Sequence, residues 1–171
     1  MTINGGTLRL AGFDFSFESL GGTRGTIENE NNDDAVLSIG SGQLSGQVST
    51  FFGRIIDGGP GSLALVKVGN GTEVLAGTNT YSGPTWVSNG TLLVNGQLTG
   101  TGVVYVVTNG VLGGYGSISN MSLRGGTVSH GPAKTNFLVR GDALVGTGST
   151  YQWEISNAVG TAGTQWDLLT V

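Results

Sequence analysis

Residues 61–96 read GSLALVKVGNGTEVLAGTNTYSGPTWVSNGTLLVNG. The stretch holds one small device twice: an asparagine, a Gly-Thr step and a short apolar strand, beginning at Asn70-Gly71-Thr72 and at Asn89-Gly90-Thr91. Asn-Gly dipeptides favour positive φ and mark turns. Between two isolated strands they would suggest hairpins, but here the device recurs along the whole chain. Gly-Thr-like steps stand at Gly6, Gly25, Gly42, Gly61, Gly90, Gly110, Gly126 and Gly148. Their spacing is nearly even except between Gly61 and Gly90, where it widens. A step that recurs at roughly 20 residues marks a stacked architecture, in which each coil lies on the one before. The Asn-Gly pairs, Asn95-Gly96 included, then become corners between successive parallel strands. The wide interval contains the extra step at Gly71, which predicts one enlarged coil there. Six to eight coils follow from the spacing, and at about 4.8 Å per stacked strand they make a rod roughly 30–40 Å long.

Composition points the same way. Glycine supplies 33 of 171 residues, well over twice the usual share of roughly 7%. Only 3 prolines and no Gly-X-Y period exclude collagen. With 37% hydrophobic and 11% charged residues, disorder is excluded as well. What remains is a single domain, 1–171, of short strands and tight turns, with 61–96 as its repeat core and 151–171 as an atypical final segment.

The charge balance, 7 basic against 11 acidic residues, is wrong for nucleic acid, where affinity comes from neutralising phosphates. It also lacks a polybasic patch for an anionic membrane. No apolar run approaches the length of a transmembrane helix, and Met1-Thr2-Ile3-Asn4 opens without a signal peptide. The absence of cysteine rules out disulfides, thiolate metal sites and cysteine nucleophiles.

Several segments carry specific expectations. Phe13, Phe15 and Phe17 alternate with polar residues, so all three are expected to point inward as aromatic core, with a carbohydrate platform as the alternative. Glu28 to Asp34 reads as a solvated loop. Its carboxylates Glu28, Glu30, Asp33 and Asp34 invite calcium, the one cofactor the sequence suggests, although the EF-hand spacing is missing. Val103–Val107 is a continuous apolar run, expected to be enclosed on both faces. Gly113-Gly114-Tyr115-Gly116-Ser117 begins like a calcium-binding nonapeptide but has Ser117 at the aspartate position. The single histidine, His130, reads as a turn residue. The remaining acids, Asp14, Glu18, Asp57, Asp142, Glu154 and Asp167, are scattered, so no catalytic residue is assigned and the chain reads as a non-enzyme.

The order Gly61-x-Leu63…Lys67-x-Gly69-x-Gly71-Thr72…Leu75-x-Gly77-x-Asn79-Thr80-Tyr81-x-Gly83-x-Thr85-x-Val87-x-x-Gly90-Thr91-Leu92-x-Val94-Asn95-Gly96 resembles the passenger-associated transport repeat, the autotransporter-associated β-strand repeat of bacterial surface and secreted proteins. Tyr151-Gln152-Trp153-Glu154-Ile155 and Gly160 to Leu169 resemble, more loosely, the segment that follows such repeats. Glu73 departs from the pattern, standing where an aliphatic residue is usual, and Pro84 is atypical. The resemblance implies a right-handed parallel β-helix (β-solenoid), an extracellular or cell-surface location and a structural or adhesive role. It brings no catalytic residues.

Three functions are compatible with these readings. In the first, the chain is a structural subunit of an extracellular fibre or surface layer. Neither terminus reads as capped, and a head-to-tail homopolymer would form through Ile3, Leu8 and Leu10 at one end and Leu168, Leu169 and Val171 at the other. In the second, it is a passenger segment of an autotransporter-like adhesin. In the third, it is a carbohydrate-binding module that meets surface glycans, or other matrix proteins, through Trp86, Trp153, Trp166, Tyr81 and Tyr115.

Overall fold

The computed structural model describes residues 1–130, 135–156, 159–162, 164–165 and 167–171, and Trp166 lies outside that set. Among the described residues there is no helix. Short strands coil into a parallel β-solenoid of about seven turns with three faces. The first face stacks seven strands: Phe15–Phe17, Ala35–Ile39, Leu63–Lys67, Thr85–Val87, Val103–Val107, Asn120–Arg124 and Ala143–Val145. The second stacks Val48–Phe51, Thr72–Leu75, Gly90–Val94, Gly110–Gly113, Thr127–Ser129 and Thr150–Gln152. The third has two parts: Thr7–Arg9, Thr26–Asn29 and Arg54–Gly58, then Thr78–Asn79, Gln97–Leu98, Ser117–Ile118, Asn136–Val139 and Leu168–Thr170. Asn79 joins the two parts, its Oδ1 accepting the Ile55 N–H at 2.9 Å. Every ladder between these strands is parallel.

Register explains the alternation of residue types. On the first face one inward column runs Phe15, Leu37, Leu65, Thr85, Val104, Met121, Ala143. Its neighbour, two positions further along each strand, runs Phe17, Ile39, Lys67, Val87, Val106, Leu123, Val145. Side chains on a strand alternate between faces, so the intervening residues point outward, most of them partly exposed and Ser122 covered by its neighbours. Each fully buried Leu or Val of these columns contributes about 1.5–3 kcal/mol.

The corners are made by glycines that nothing else can replace. A Cβ on Gly96 would run into the carbonyl of Gly77, and one on Gly116 into the carbonyl of Gly96. This column of glycines lets successive chains approach at the turn from the second to the third face.

Four expectations need correction. Two coils are enlarged: the step from Ala35 to its partner Leu63 and the step from Asn136 to its partner Leu168 are each clearly longer than the step from Leu65 to its partner Thr85. In the first of these the extra length is shared between 40–47 and the stretch from Ile55 to Leu63, and Gly71 merely opens a strand of ordinary spacing. Val103–Val107 is enclosed on one side only; Val104 and Val106 are buried, while Val103, Tyr105 and Val107 are half-buried on the outer surface. A solenoid strand has one enclosed face, unlike a strand sandwiched between helix layers. Phe13 and Phe15 are exposed, with Phe17 packed partly against the core. Phe15 and Phe17 do head the inward columns, but the first face has no strand beyond Phe15–Phe17 to cover them. Finally, Glu28 and Asn29 belong to a strand, and Asn29 is fully buried. It is satisfied there, accepting the Gly12 N–H at 2.9 Å and donating to the Asp33 carbonyl at 2.8 Å.

Candidate functional site

The first face carries an outward column of Val66, Trp86, Tyr105, Ser122 and Leu144. Parallel register sets like positions about 4.8 Å apart, which suits flat side chains. Trp86 and Tyr105 stack with centroids 4.3 Å apart and planes at 24°. Arg124, on the strand after Tyr105, lays its guanidinium 4.2 Å from the Tyr105 ring centre and 5.7 Å from that of Trp86. Its Nε donates to Ser122 Oγ at 3.4 Å. A cation over aromatic faces is held at about 0.5–1 kcal/mol in such exposed places.

Ser122 breaks the column, because a small residue sits where Tyr105 and Leu144 flank it. The result is a groove of about 590 Å³, lined by Tyr105, Asn120, Ser122, Arg124, Asp142 and Leu144 among others. Asn120 Oδ1 is occupied by the Asp142 N–H at 3.0 Å. Among the described residues the Asp142 carboxylate accepts no hydrogen bond and Arg124 forms no ion pair. Sequence reading found Trp86 but missed Tyr105 and Arg124. The signal was there, an aromatic at each of two coils one interval apart, but assigning the run 103–107 to the interior hid it.

The other aromatic candidates fare differently. Tyr81 is buried, its hydroxyl 2.7 Å from Thr85 Oγ1, and is unavailable to a ligand. Tyr115 is exposed and lines a separate hollow of about 440 Å³ with Asn95, Gln97 and Asn136. Trp153 is half exposed, its indole N–H donating to the Asp167 carbonyl at 2.8 Å.

The acidic candidates are dispersed by the fold. Glu28 and Glu30 share Arg9, at 3.0 and 3.4 Å. Asp34 accepts from the N–H and hydroxyl of Ser62, at 2.7 and 2.9 Å, which holds its carboxyl below the usual range. Asp33 contributes its backbone carbonyl to Asn29. No group of three or more His, Asp or Glu is gathered to hold a metal among the described residues. Of the six residues assigned to self-assembly, Ile3 and Leu10 are buried, Leu8 and Leu169 pack partly against the core, and Leu168 and Val171 are exposed.

Two buried polar clusters lie inside. In the repeat block Lys67 occupies an inward column and is fully buried, donating to the carbonyls of Val68, Gly69 and Asn89 at 2.6, 3.0 and 3.2 Å. Burial lowers its pKa, and Glu73 partly opposes this. Glu73, the departure from the repeat pattern, is equally buried and accepts the Leu20 N–H at 3.0 Å. Burial pushes its carboxyl up to about 7, against the pull of the Leu20 N–H and of Lys67. The second cluster corrects the reading of His130 as a turn residue. His130 is buried between Phe137 and Tyr151, with Nδ1 3.9 Å from Asp167 Oδ2. Burial lowers its pKa, opposed by Asp167 and by the nearby Leu168 backbone, and among the described residues neither ring nitrogen has a hydrogen-bond partner of good geometry.

Residues 65–94 match the family described as Passenger-associated-transport-repeat. This match covers less than a fifth of the chain. Both Asn-Gly corners at Asn70 and Asn89 fall inside that repeat, as do Lys67, Glu73 and Trp86, while Tyr105 and Arg124 lie on the coils after it. An extracellular serine protease of Serratia marcescens is 36% identical over 94 residues, 54% of this chain and 9% of that protein. A second extracellular serine protease of the same species is 34% identical over 97 residues, again 54% of this chain and 9% of the relative. The adhesin BmaC autotransporter of Brucella suis biovar 1 (strain 1330) is 40% identical over 73 residues, 42% of this chain and 2% of the adhesin. The chain thus spans less than a tenth of the length of each of these relatives. No solved structure matches it significantly.

Proposed function

We propose that this chain is a scaffold segment of an autotransporter-type passenger, displayed at the bacterial surface or outside the cell. Its role is to extend and stiffen the passenger, and the reaction of any enzyme that contains it resides elsewhere. The observation that carries this reading is the parallel stack of seven strands on the first face, with the match to the passenger-associated-transport-repeat at residues 65–94 within it. The matched residues are shared with relatives named as proteases and with one named as an adhesin, and a part common to such different proteins supports a scaffold role over a catalytic one. Within the described residues His130, although close to Asp167, is shut away from solvent and bonds to no serine hydroxyl, so a hydrolytic triad finds no support. An antibody against this chain, applied to intact cells and to culture supernatant of the source bacterium, tests the location. Labelling that appears only after lysis would contradict it.

A second reading is an extracellular fibre built end to end. It draws on the apolar residues exposed in the outermost coils, Phe13 and Phe15 at one end and Leu168 and Val171 at the other. Purified chain that forms rods lengthening with concentration under the electron microscope would favour it, and monomers at every concentration would remove it.

A further inference from the structure

We propose that the groove beside Tyr105 on the first face is a binding site for a neutral sugar ring of a surface glycan. This goes beyond a scaffold role and stands independently of it. The groove opens because Ser122 interrupts the outward column, and two strand spacings, about 10 Å, separate Tyr105 from Leu144 across it. Its volume, about 590 Å³, lies within the range of small-ligand sites, which mix apolar walls with a few polar groups.

The polar groups are the argument. Arg124 is immobilised by stacking on Tyr105, yet only its Nε is engaged, and weakly, at 3.4 Å. Asp142 opens onto the same groove with a carboxylate that bonds to nothing among the described residues. Asn120 commits its Oδ1 to the Asp142 N–H, which fixes the amide and leaves its NH₂ free to donate. A guanidinium, a carboxylate and an amide donor therefore face one space with spare hydrogen-bonding capacity. Vicinal hydroxyls donate and accept at once, and they match such a set: they accept from Arg124 and Asn120 and donate to Asp142. The ring's C–H groups lie along the apolar side of the groove, towards Leu144 and the edge of Tyr105. An anionic sugar fits less well, since Asp142 repels it and the chain's formal charge is already −4.

The test uses the intact chain on an array of neutral and acidic oligosaccharides, followed by calorimetric titration of the strongest neutral hit. Binding of neutral glycans is expected. Asp142→Ala and Arg124→Ala should each weaken it about tenfold or more, because each leaves ligand hydroxyls unpaired. Arg24→Ala, a charge-matched change on an exposed residue outside the groove, should leave binding unchanged. Melting curves of all three variants establish that they are folded. Should Arg124→Ala unfold the chain, Asp142→Ala alone decides, since its backbone bonds are retained. The proposal falls if no neutral glycan binds, if binding survives both groove changes, or if only acidic glycans bind and Asp142→Ala strengthens them.

Discussion

Between Leu63 and Leu98 each coil repeats its predecessor at a near-constant interval: Leu65 lies on Thr85, Thr72 on Thr91 and Asn79 on Leu98. The final coil is built otherwise. Leu168 lies on Asn136 after a much longer excursion of the chain, and Leu144, Val145, Tyr151 and Leu168 of that coil are exposed. The repeat block is held by columns of fully buried Leu and Val and by glycine corners. In the last coil, beside the strand ladders, one polar residue ties several segments together: the Asp167 carboxylate accepts the Thr135 N–H at 3.2 Å and the Glu154 N–H at 3.0 Å, and its carbonyl takes the Trp153 indole at 2.8 Å. A constant repeat length lets identical positions stack and bury each other. A long insertion breaks that regularity, and a hydrogen-bonded node takes over from the apolar column.

Substitutions in the two regions should therefore fail differently. The largest effect is expected from Gly96→Ala, whose Cβ would meet the Gly77 carbonyl in the middle of the glycine column. A loss of about 3 kcal/mol or more, in one cooperative transition, should appear in chemical denaturation. Gly5→Ala, where no atom lies within 4 Å of the added carbon, is the matching control and should change little. Next, Asp167→Ala removes the side-chain acceptor of the Thr135 and Glu154 N–H groups and should cost roughly 1–3 kcal/mol, but locally. Hydrogen exchange should quicken at Glu154 and in Leu168–Thr170 while the repeat block stays protected. Equal loosening of both regions would dissolve the distinction.

The buried titratable groups oppose one another across the same two regions. Glu73, raised to about 7 in the fold from an ordinary 4.5, binds its proton more tightly folded than unfolded. Its contribution is full below about 4.5 and is lost as pH rises towards 7. His130 is shifted the other way, so its cluster loses stability as pH falls below the ordinary histidine value of about 6.5. Acidification from about pH 8 to about 5.5 should tighten exchange in the repeat block and loosen it around Tyr151 and Leu168. Glu73→Gln should abolish the first response and spare the second. The smallest effect is expected from Tyr105→Ala on the surface column, about 1 kcal/mol in denaturation, from lost stacking on Trp86 and Arg124.

Much of the fold was legible in the glycine and Asn-Gly intervals, because corners need particular backbone conformations and recur once per coil. Asn89 donating to Asn70 at 2.8 Å, from one corner to the next, is that periodicity in atomic form. Individual burial was less legible. Phe13 and Phe15 have the pattern of core residues, yet Phe13 lies outside the strand Phe15–Phe17 and Phe15 heads its face with no strand beyond to cover it. His130 and Asp167 stand far apart in the chain and meet through the long final coil, which no local pattern announces. The groove was hidden for a related reason. It arises from what Ser122 lacks between Tyr105 and Leu144, and a missing side chain has meaning only once the register is known.

That register can be tested directly, since the chain has no cysteine of its own. Thr72 and Thr91 are in-register neighbours on adjacent coils, at a spacing within disulfide reach. A Thr72→Cys/Thr91→Cys variant should oxidise readily to an internal disulfide and keep its fold. Trp86→Cys/Leu93→Cys, which an antiparallel hairpin at Asn89-Gly90 would bring together, should stay reduced because the two residues lie on different faces. The reverse outcome, bridging in the second pair and none in the first, would contradict the stacked-coil architecture.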